Sequence, residues 1–237
     1  MKRRSIEPET PRQVGLFSLP YFKDESSCLG VVVVYGPPRC GKTTIVSRMA
    51  DRLMSMIEFD TIAIFCPGTR GEWKDLEKRA PEKTLYVMEH EDFAMRTIVR
   101  NQVELAKKKL PNKLLMIWDD QVGTTSMHKG SLEKICKKFA ACGRQEENNV
   151  CWFVCAQSPS FCNPTVRQSA RLIMFSQCGP SAVELILDSS QVHVSEDDAF
   201  SIAFEHQFVV LDNVSHRAYV VKTSPMVRKE ESSCVLM

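Results

Sequence analysis

VVVVYGPPRCGKTT, Val31 to Thr44, decides the fold. Four valines and a tyrosine run without polar interruption into Gly36, the pattern of a strand buried on both faces. Gly36 to Thr43 then satisfies G-x-x-x-x-G-K-[ST], and KTTIVSRMADRLMSMI opens directly behind it with apolar residues at helical spacing. These residue types have a physical reason. Glycines let successive amides converge on phosphate oxygens, and the start of a helix adds its positive pole. Lys42 brings a cation to the β/γ-phosphates, and Thr43 brings a hydroxyl to Mg²⁺. Gly36, Pro37, Pro38, Arg39, Cys40, Gly41, Lys42, Thr43 and Thr44 are therefore the expected nucleotide-binding residues, with a nucleoside triphosphate and Mg²⁺ as ligands. The loop alone does not choose the nucleotide or the reaction.

Outward from this unit, strand and helix patterns alternate. FDTIAIFCPG, NKLLMIWDD, NNVCWFVCAQSP and ARLIMFSQ read as strands, and KTLYVMEH as a shorter one. EDFAMRTIVRNQVELAKKKL and KGSLEKICKKFAACGR read as helices, the second capped by Ser131 and ended by Gly143. PSAVELILDSS and SEDDAFSIAFEHQ are expected to be short helices, and FVVLDNVSHRAYVVKT a hairpin turning at DNVSH. Such alternation predicts an α/β protein: a mainly parallel sheet with helices on both faces. Residues 1–28 are polar and proline-bearing and read as an N-terminal arm with little core of its own; 29–222 form the expected P-loop domain and 223–237 a tail.

Composition bounds the function. The 237 residues carry a net charge of +2, which neither demands nor forbids a nucleic-acid partner. The 10 cysteines fall largely within apolar runs, without a C-x-x-C pair, and are expected to be buried free thiols in a reducing compartment. MKRRSIEPETPRQ lacks the apolar core of a signal peptide, and no run approaches a membrane span, so a soluble intracellular protein is expected. CVLM, Cys234 to Met237, fits the C-a-a-X prenylation pattern, behind a mixed rather than polybasic VRKEESS. Membrane attachment is expected only if that tail is lipidated, and then weakly.

LLMIWDDQ puts Asp119 and Asp120 at a strand's C-terminal end, which in an open parallel sheet lies beside the phosphate loop. Asp119 is assigned to Mg²⁺ and Asp120 to polarising the attacking water. Two acids there argue for water as nucleophile, hence ATP hydrolysis. Gln157 ends the next central strand, where an amide can contact the γ-phosphate or the lytic water. A guanine-reading N-K-x-D is missing, since Leu115 follows Asn112 and Lys113 where an aspartate would stand. A nucleotide kinase and a non-hydrolysing ATP-binding switch remain as alternatives. Fast hydrolysis generally wants a second cation on the leaving phosphate, often from a neighbouring subunit. Arg144 is the expected donor and Arg167 the second choice.

GPPRCGKTT, LLMIWDDQ, CGRQEENNVCWFVCAQSP and NPTVRQSARLIMF occur in this order from Leu29 to Phe175. Together they resemble the DNA-packaging ATPases of large eukaryotic DNA viruses, within the FtsK–HerA group of P-loop motors. The resemblance implies a RecA-like, ASCE-type three-layer domain in a homo-oligomeric ring that drives double-stranded DNA into a capsid. It also implies a capsid or portal-like partner and a location in the host cytoplasm or virion. Lys42, Thr43, Asp119, Asp120 and Gln157 match the family's catalytic pattern. Gln145 stands where the family often has a histidine, and no role is carried onto it. The residues alone reach an ATP hydrolase; the DNA substrate comes from the resemblance. The basic cluster Lys134, Lys137, Lys138 and Arg144 is either a DNA-channel lining or a solvated helix face.

Overall fold

The computed structural model describes residues 8, 10–66, 71, 73–87, 92–110, 112–119, 134, 137, 149–202 and 207–222. Its sheet strands are β1 (Arg12–Val14), β2 (Gly30–Tyr35), β3 (Thr61–Phe65), β4 (Thr84–Val87), β5 (Leu114–Trp118), β6 (Val150–Ala156), β7 (Ala170–Phe175), β8 (Gln207–Asp212) and β9 (Arg217–Lys222). The helices are α1 (Glu25–Cys28), α2 (Lys42–Met56), α3 (Lys74–Arg79), α4 (Asp92–Lys107), α5 (Pro164–Ser169), α6 (Pro180–Ser189) and α7 (Glu196–Ser201). The strands form one nine-stranded sheet in the order β1-β9-β8-β7-β2-β6-β5-β3-β4. Pairing is parallel from β7 to β4 and between β1 and β9; β8 runs antiparallel to both neighbours.

Alternation along each central strand splits the apolar residues between two cores. Val32 and Val34 of β2 face α2, whose Ile45, Val46, Met49, Ala50 and Leu53 recur at helical spacing on its buried side. Val31, Val33 and Tyr35 face the other way, toward Met95 and Val99 of α4, Val166 of α5, and Val183 and Ile186 of α6. Two buried faces explain why β2, β5 and β6 read as unbroken apolar runs rather than alternating ones. Fully burying each valine of β2 contributes roughly 1.5–3 kcal/mol. Helix layers on both sides of a mostly parallel sheet are the expected three-layer α/β arrangement.

The N-terminal segment corrects one expectation. Residues 12–28 do not lie apart from the core: Leu16, Leu19, Tyr21, Phe22 and Cys28 are buried in the same apolar cluster as α2. Tyr21 Oη donates to the Cys28 carbonyl at 2.7 Å, and β1 extends the sheet beyond the β8–β9 hairpin. The expected helix over 131–143 lies outside the described residues except Lys134 and Lys137, which are helical and exposed.

Candidate nucleotide site

The loop between β2 and α2 is shaped by backbone that side chains resist. Gly36 has φ +152°, and a Cβ there would stand 2.6 Å from Cys40 Sγ and 2.7 Å from the Ser176 carbonyl oxygen. Gly41, with φ +94°, turns the chain into the helix, and Arg39 is left-handed at φ +66°. The loop is thus drawn tight against the end of β7, where Ser176 N–H donates to the Tyr35 carbonyl at 3.1 Å. The first intrahelical bond of α2 runs from Ile45 N–H to the Gly41 carbonyl at 2.9 Å, so the amides of Lys42, Thr43 and Thr44 point along the axis with no helical acceptor. Lys42 is buried, and its Nζ donates to the Gly36 and Pro37 carbonyls, both at 2.8 Å. Pro38 and Arg39 are exposed at the loop's outer edge, whereas Cys40 is packed beneath it. Burial pushes the Cys40 thiol above its ordinary pKa, and raises that of Cys178 nearby to about 12.

Asp119 follows β5, its N–H donating to the Phe65 carbonyl at 2.8 Å, and the residue is only 3% exposed. Thr43 Oγ1 donates to both carboxylate oxygens, at 3.2 Å to Oδ1 and 3.1 Å to Oδ2. Trp73 Nε1 donates to Oδ2 at 3.2 Å, and the Cys66 thiol lies 3.9 Å from the same atom. Hydroxyl, indole and thiol are all neutral donors, so they orient the carboxylate without cancelling its charge. A hydroxyl and an anionic carboxylate side by side are hard oxygen ligands that fit Mg²⁺, whose sites typically combine one or two carboxylates with substrate phosphates and water. Among the described residues no cluster of three or more His, Cys, Asp or Glu forms a self-sufficient metal cage.

Register brings the third element in. β6 lies between β2 and β5, pairing Ala156 with Tyr35 and Val154 with Trp118. Gly36 N–H donates to the Ala156 carbonyl at 3.3 Å. Gln157, half-buried and next along, therefore emerges between the phosphate loop and Asp119. Asp120 and Arg144 lie outside the described residues, as does Lys138.

Arg167 is brought elsewhere. It is buried, with Nη1 donating to the Pro159 and Cys162 carbonyls at 2.7 Å and Nε to Ser189 Oγ at 3.2 Å. Its guanidinium is spent inside its own chain, clamping the loop after Gln157 to α5 and α6, and it is withdrawn as second choice for a cation donated to a neighbour. Trp73 and Cys66 were not marked by the sequence. An isolated tryptophan in a polar crossover, GEWKDLEK, was the one available signal.

No protein-family model and no curated protein matches the chain in sequence. Solved structures do match in fold. B204, the DNA-packaging ATPase from Sulfolobus turreted icosahedral virus, superposes with TM-score 0.62 at 15% identity, covering 83% of this chain and 98% of B204. The genome-packaging NTPase B204 from Sulfolobus turreted icosahedral virus 2 in complex with ATPγS gives 0.58 at 15% identity over 83% and 98%. EssC from Geobacillus thermodenitrificans, through its ATPases 2 and 3, gives 0.60 at 10% identity over 78% of this chain and 38% of that one. The fold is that of a P-loop ATPase of the ASCE type. At such identities the likeness is one of fold. Among the described residues no helix is long and apolar enough to cross a membrane.

Proposed function

We propose that this chain is a Mg²⁺-dependent ATP hydrolase working as a motor on double-stranded DNA, packaging a viral genome as part of a homo-oligomeric ring. The observation that carries the chemistry is the pairing of Thr43 with Asp119 beside a loop whose lysine is already turned inward. Lys42, the α2 amides and the Gly36–Gly41 backbone hold the triphosphate. Thr43 and Asp119 hold Mg²⁺, which when bound neutralises phosphate charge and polarises the scissile phosphoryl group. Asp120 accepts the proton of the attacking water, Gln157 orients that water and relays the state of the site to the loop at Ser158–Phe161, and Arg144 reaches a neighbour's nucleotide. DNA as substrate, with a capsid or portal-like partner and a location in the host cytoplasm or virion, rests on the motif resemblance and on the packaging role of B204.

Phosphate release from ATP with and without double-stranded DNA tests the reading. Mg²⁺-dependent release that rises several-fold with DNA is expected. ADP formation only when a nucleoside monophosphate is supplied would mean a kinase, and ATP binding without turnover a switch.

A further inference from the structure

Cys66 and Trp73, at the two ends of the connection from β3 to α3, meet the site from a direction the motifs do not mark. Cys66 follows the last residue of β3, and Trp73 stands at the first turn of α3, where its carbonyl accepts from Glu77 N–H at 3.0 Å. Both send a donor to Asp119 Oδ2. Trp73 has no exposed surface, and it shares the α2-side core with Cys66 and Leu76. Arg79, at the other end of α3, pairs with Asp51 of α2 at 2.7 Å. One short helix is therefore tied at one end to the phosphate-loop helix and at the other to the strand-end carboxylate.

An indole N–H can only donate, so its partner must be an acceptor, and a carboxylate oxygen satisfies it. Donation to an anion is stronger than between neutral groups, and burial strengthens it further. A neutral donor on one oxygen restrains the carboxylate's rotation without itself neutralising its charge. Partners of this kind behind a metal ligand typically change metal affinity by about 10–100-fold.

We propose that Trp73 is a positioning residue: its indole N–H holds Asp119 in the orientation that receives the divalent cation of the nucleotide. The inference rests on the reading of Asp119 as that cation's ligand. A purely structural tryptophan would lower stability when altered and leave cation affinity alone, which separates the two roles.

The experiment titrates Mn²⁺, detected by electron paramagnetic resonance, into the full-length protein with ATPγS. Wild type is compared with Trp73→Phe and with a protein carrying 3-benzothienylalanine at position 73, which keeps the bicyclic shape but replaces N–H by sulfur. Mn²⁺ affinity is expected to fall at least tenfold in both. ATPγS binding in EDTA should stay within about twofold of wild type, and the benzothienyl protein should keep its unfolding midpoint. Unchanged Mn²⁺ affinity in the benzothienyl protein, with wild type binding normally, overturns the assignment of Trp73 and leaves the proposed function standing. Failure of wild type to bind Mn²⁺ with ATPγS removes both.

Discussion

The Thr43 hydroxyl donates to both oxygens of Asp119, at 3.2 and 3.1 Å, joining the first turn of α2 to the end of β5 across 76 residues of sequence. Each group is held by its own element, Thr43 by α2 and Asp119 by its backbone bond to Phe65. Their approach is a property of the sheet order, which aligns the ends of β2, β6 and β5 along one edge.

Asp119→Asn keeps shape and loses charge, and presents an NH₂ group to donors that already point inward. Hydrolysis should fall by at least ~10²-fold, and Mg²⁺-dependent nucleotide binding should weaken with it. Calorimetric titration of ATPγS in Mg²⁺ and in EDTA reads the difference. A variant with wild-type Mg²⁺ dependence would remove Asp119 from the metal site.

Lys42→Ala should also cost at least ~10²-fold in turnover, since the γ-phosphoryl group loses its main protein cation. Lys42 Nζ is buried between two carbonyls, so a modest loss of stability should accompany it. Phosphate release measured beside thermal unfolding separates the two effects. Near-normal turnover would contradict the site.

Gly36→Ala tests the loop's tightness. The added Cβ meets the Ser176 backbone carbonyl at 2.7 Å, in a backbone conformation that L side chains rarely adopt. A loss of about 1–3 kcal/mol is expected, with weaker nucleotide binding as the loop opens away from β7. Chemical denaturation should show it as a lower midpoint at unchanged slope.

The buried thiols set an alkaline limit. Burial raises the thiols of Cys28, Cys162 and Cys178 from an ordinary 9.0 to about 12 in the folded protein. Their contribution to stability is complete below about pH 9 and is lost as pH climbs toward about 12, because only the unfolded chain releases those protons. Each thiol contributes a slope of about 1.4 kcal/mol per pH unit within that window. Denaturation midpoints should fall steeply between pH 9 and 11, and Cys28→Ser, with its alcohol outside this range, should flatten the slope. A slope unchanged in that variant would count against the burial argument.

What was legible in the sequence was whatever one strand or one turn determines. Val31–Thr44, Leu114–Asp119 and Val150–Gln157 each carry their apolar run and their polar terminus in consecutive residues. The hairpin at Asp212 was equally local: its carboxylate accepts from Val214 and Ser215 backbone N–H within the turn itself. β1 was hidden because it has three residues and its partner strand lies at the far end of the chain. Leu16, Tyr21 and Phe22 follow no helical or strand period, so their burial depends on α2 being there to meet them. Trp73 and Arg167 were hidden for the same reason. A tryptophan becomes a carboxylate's donor only through a strand end 46 residues away. An arginine becomes an internal clamp only once the turn before it and α6 fold around its guanidinium.

Arg167 yields the last prediction, because its two readings diverge. An arginine donated to a neighbouring subunit is exposed, costs little stability when removed, and is complemented in mixed assemblies. The guanidinium here instead satisfies two carbonyls of the Pro159–Cys162 turn and one hydroxyl of α6. Arg167→Ala strands those groups in a buried place, a loss of about 2–5 kcal/mol. For a chain of this length that lowers the unfolding midpoint by roughly 5–15 °C. The same turn follows Gln157 directly, so whatever folded variant remains should hydrolyse ATP with little stimulation by DNA. Mixing it with Lys42→Ala subunits should restore no activity beyond that of the two variants measured apart. Arg144→Ala mixed with Lys42→Ala should recover turnover if Arg144 serves the adjoining subunit. Recovery with Arg167→Ala at wild-type stability would instead require that its guanidinium leave the Pro159–Cys162 turn in the assembled ring.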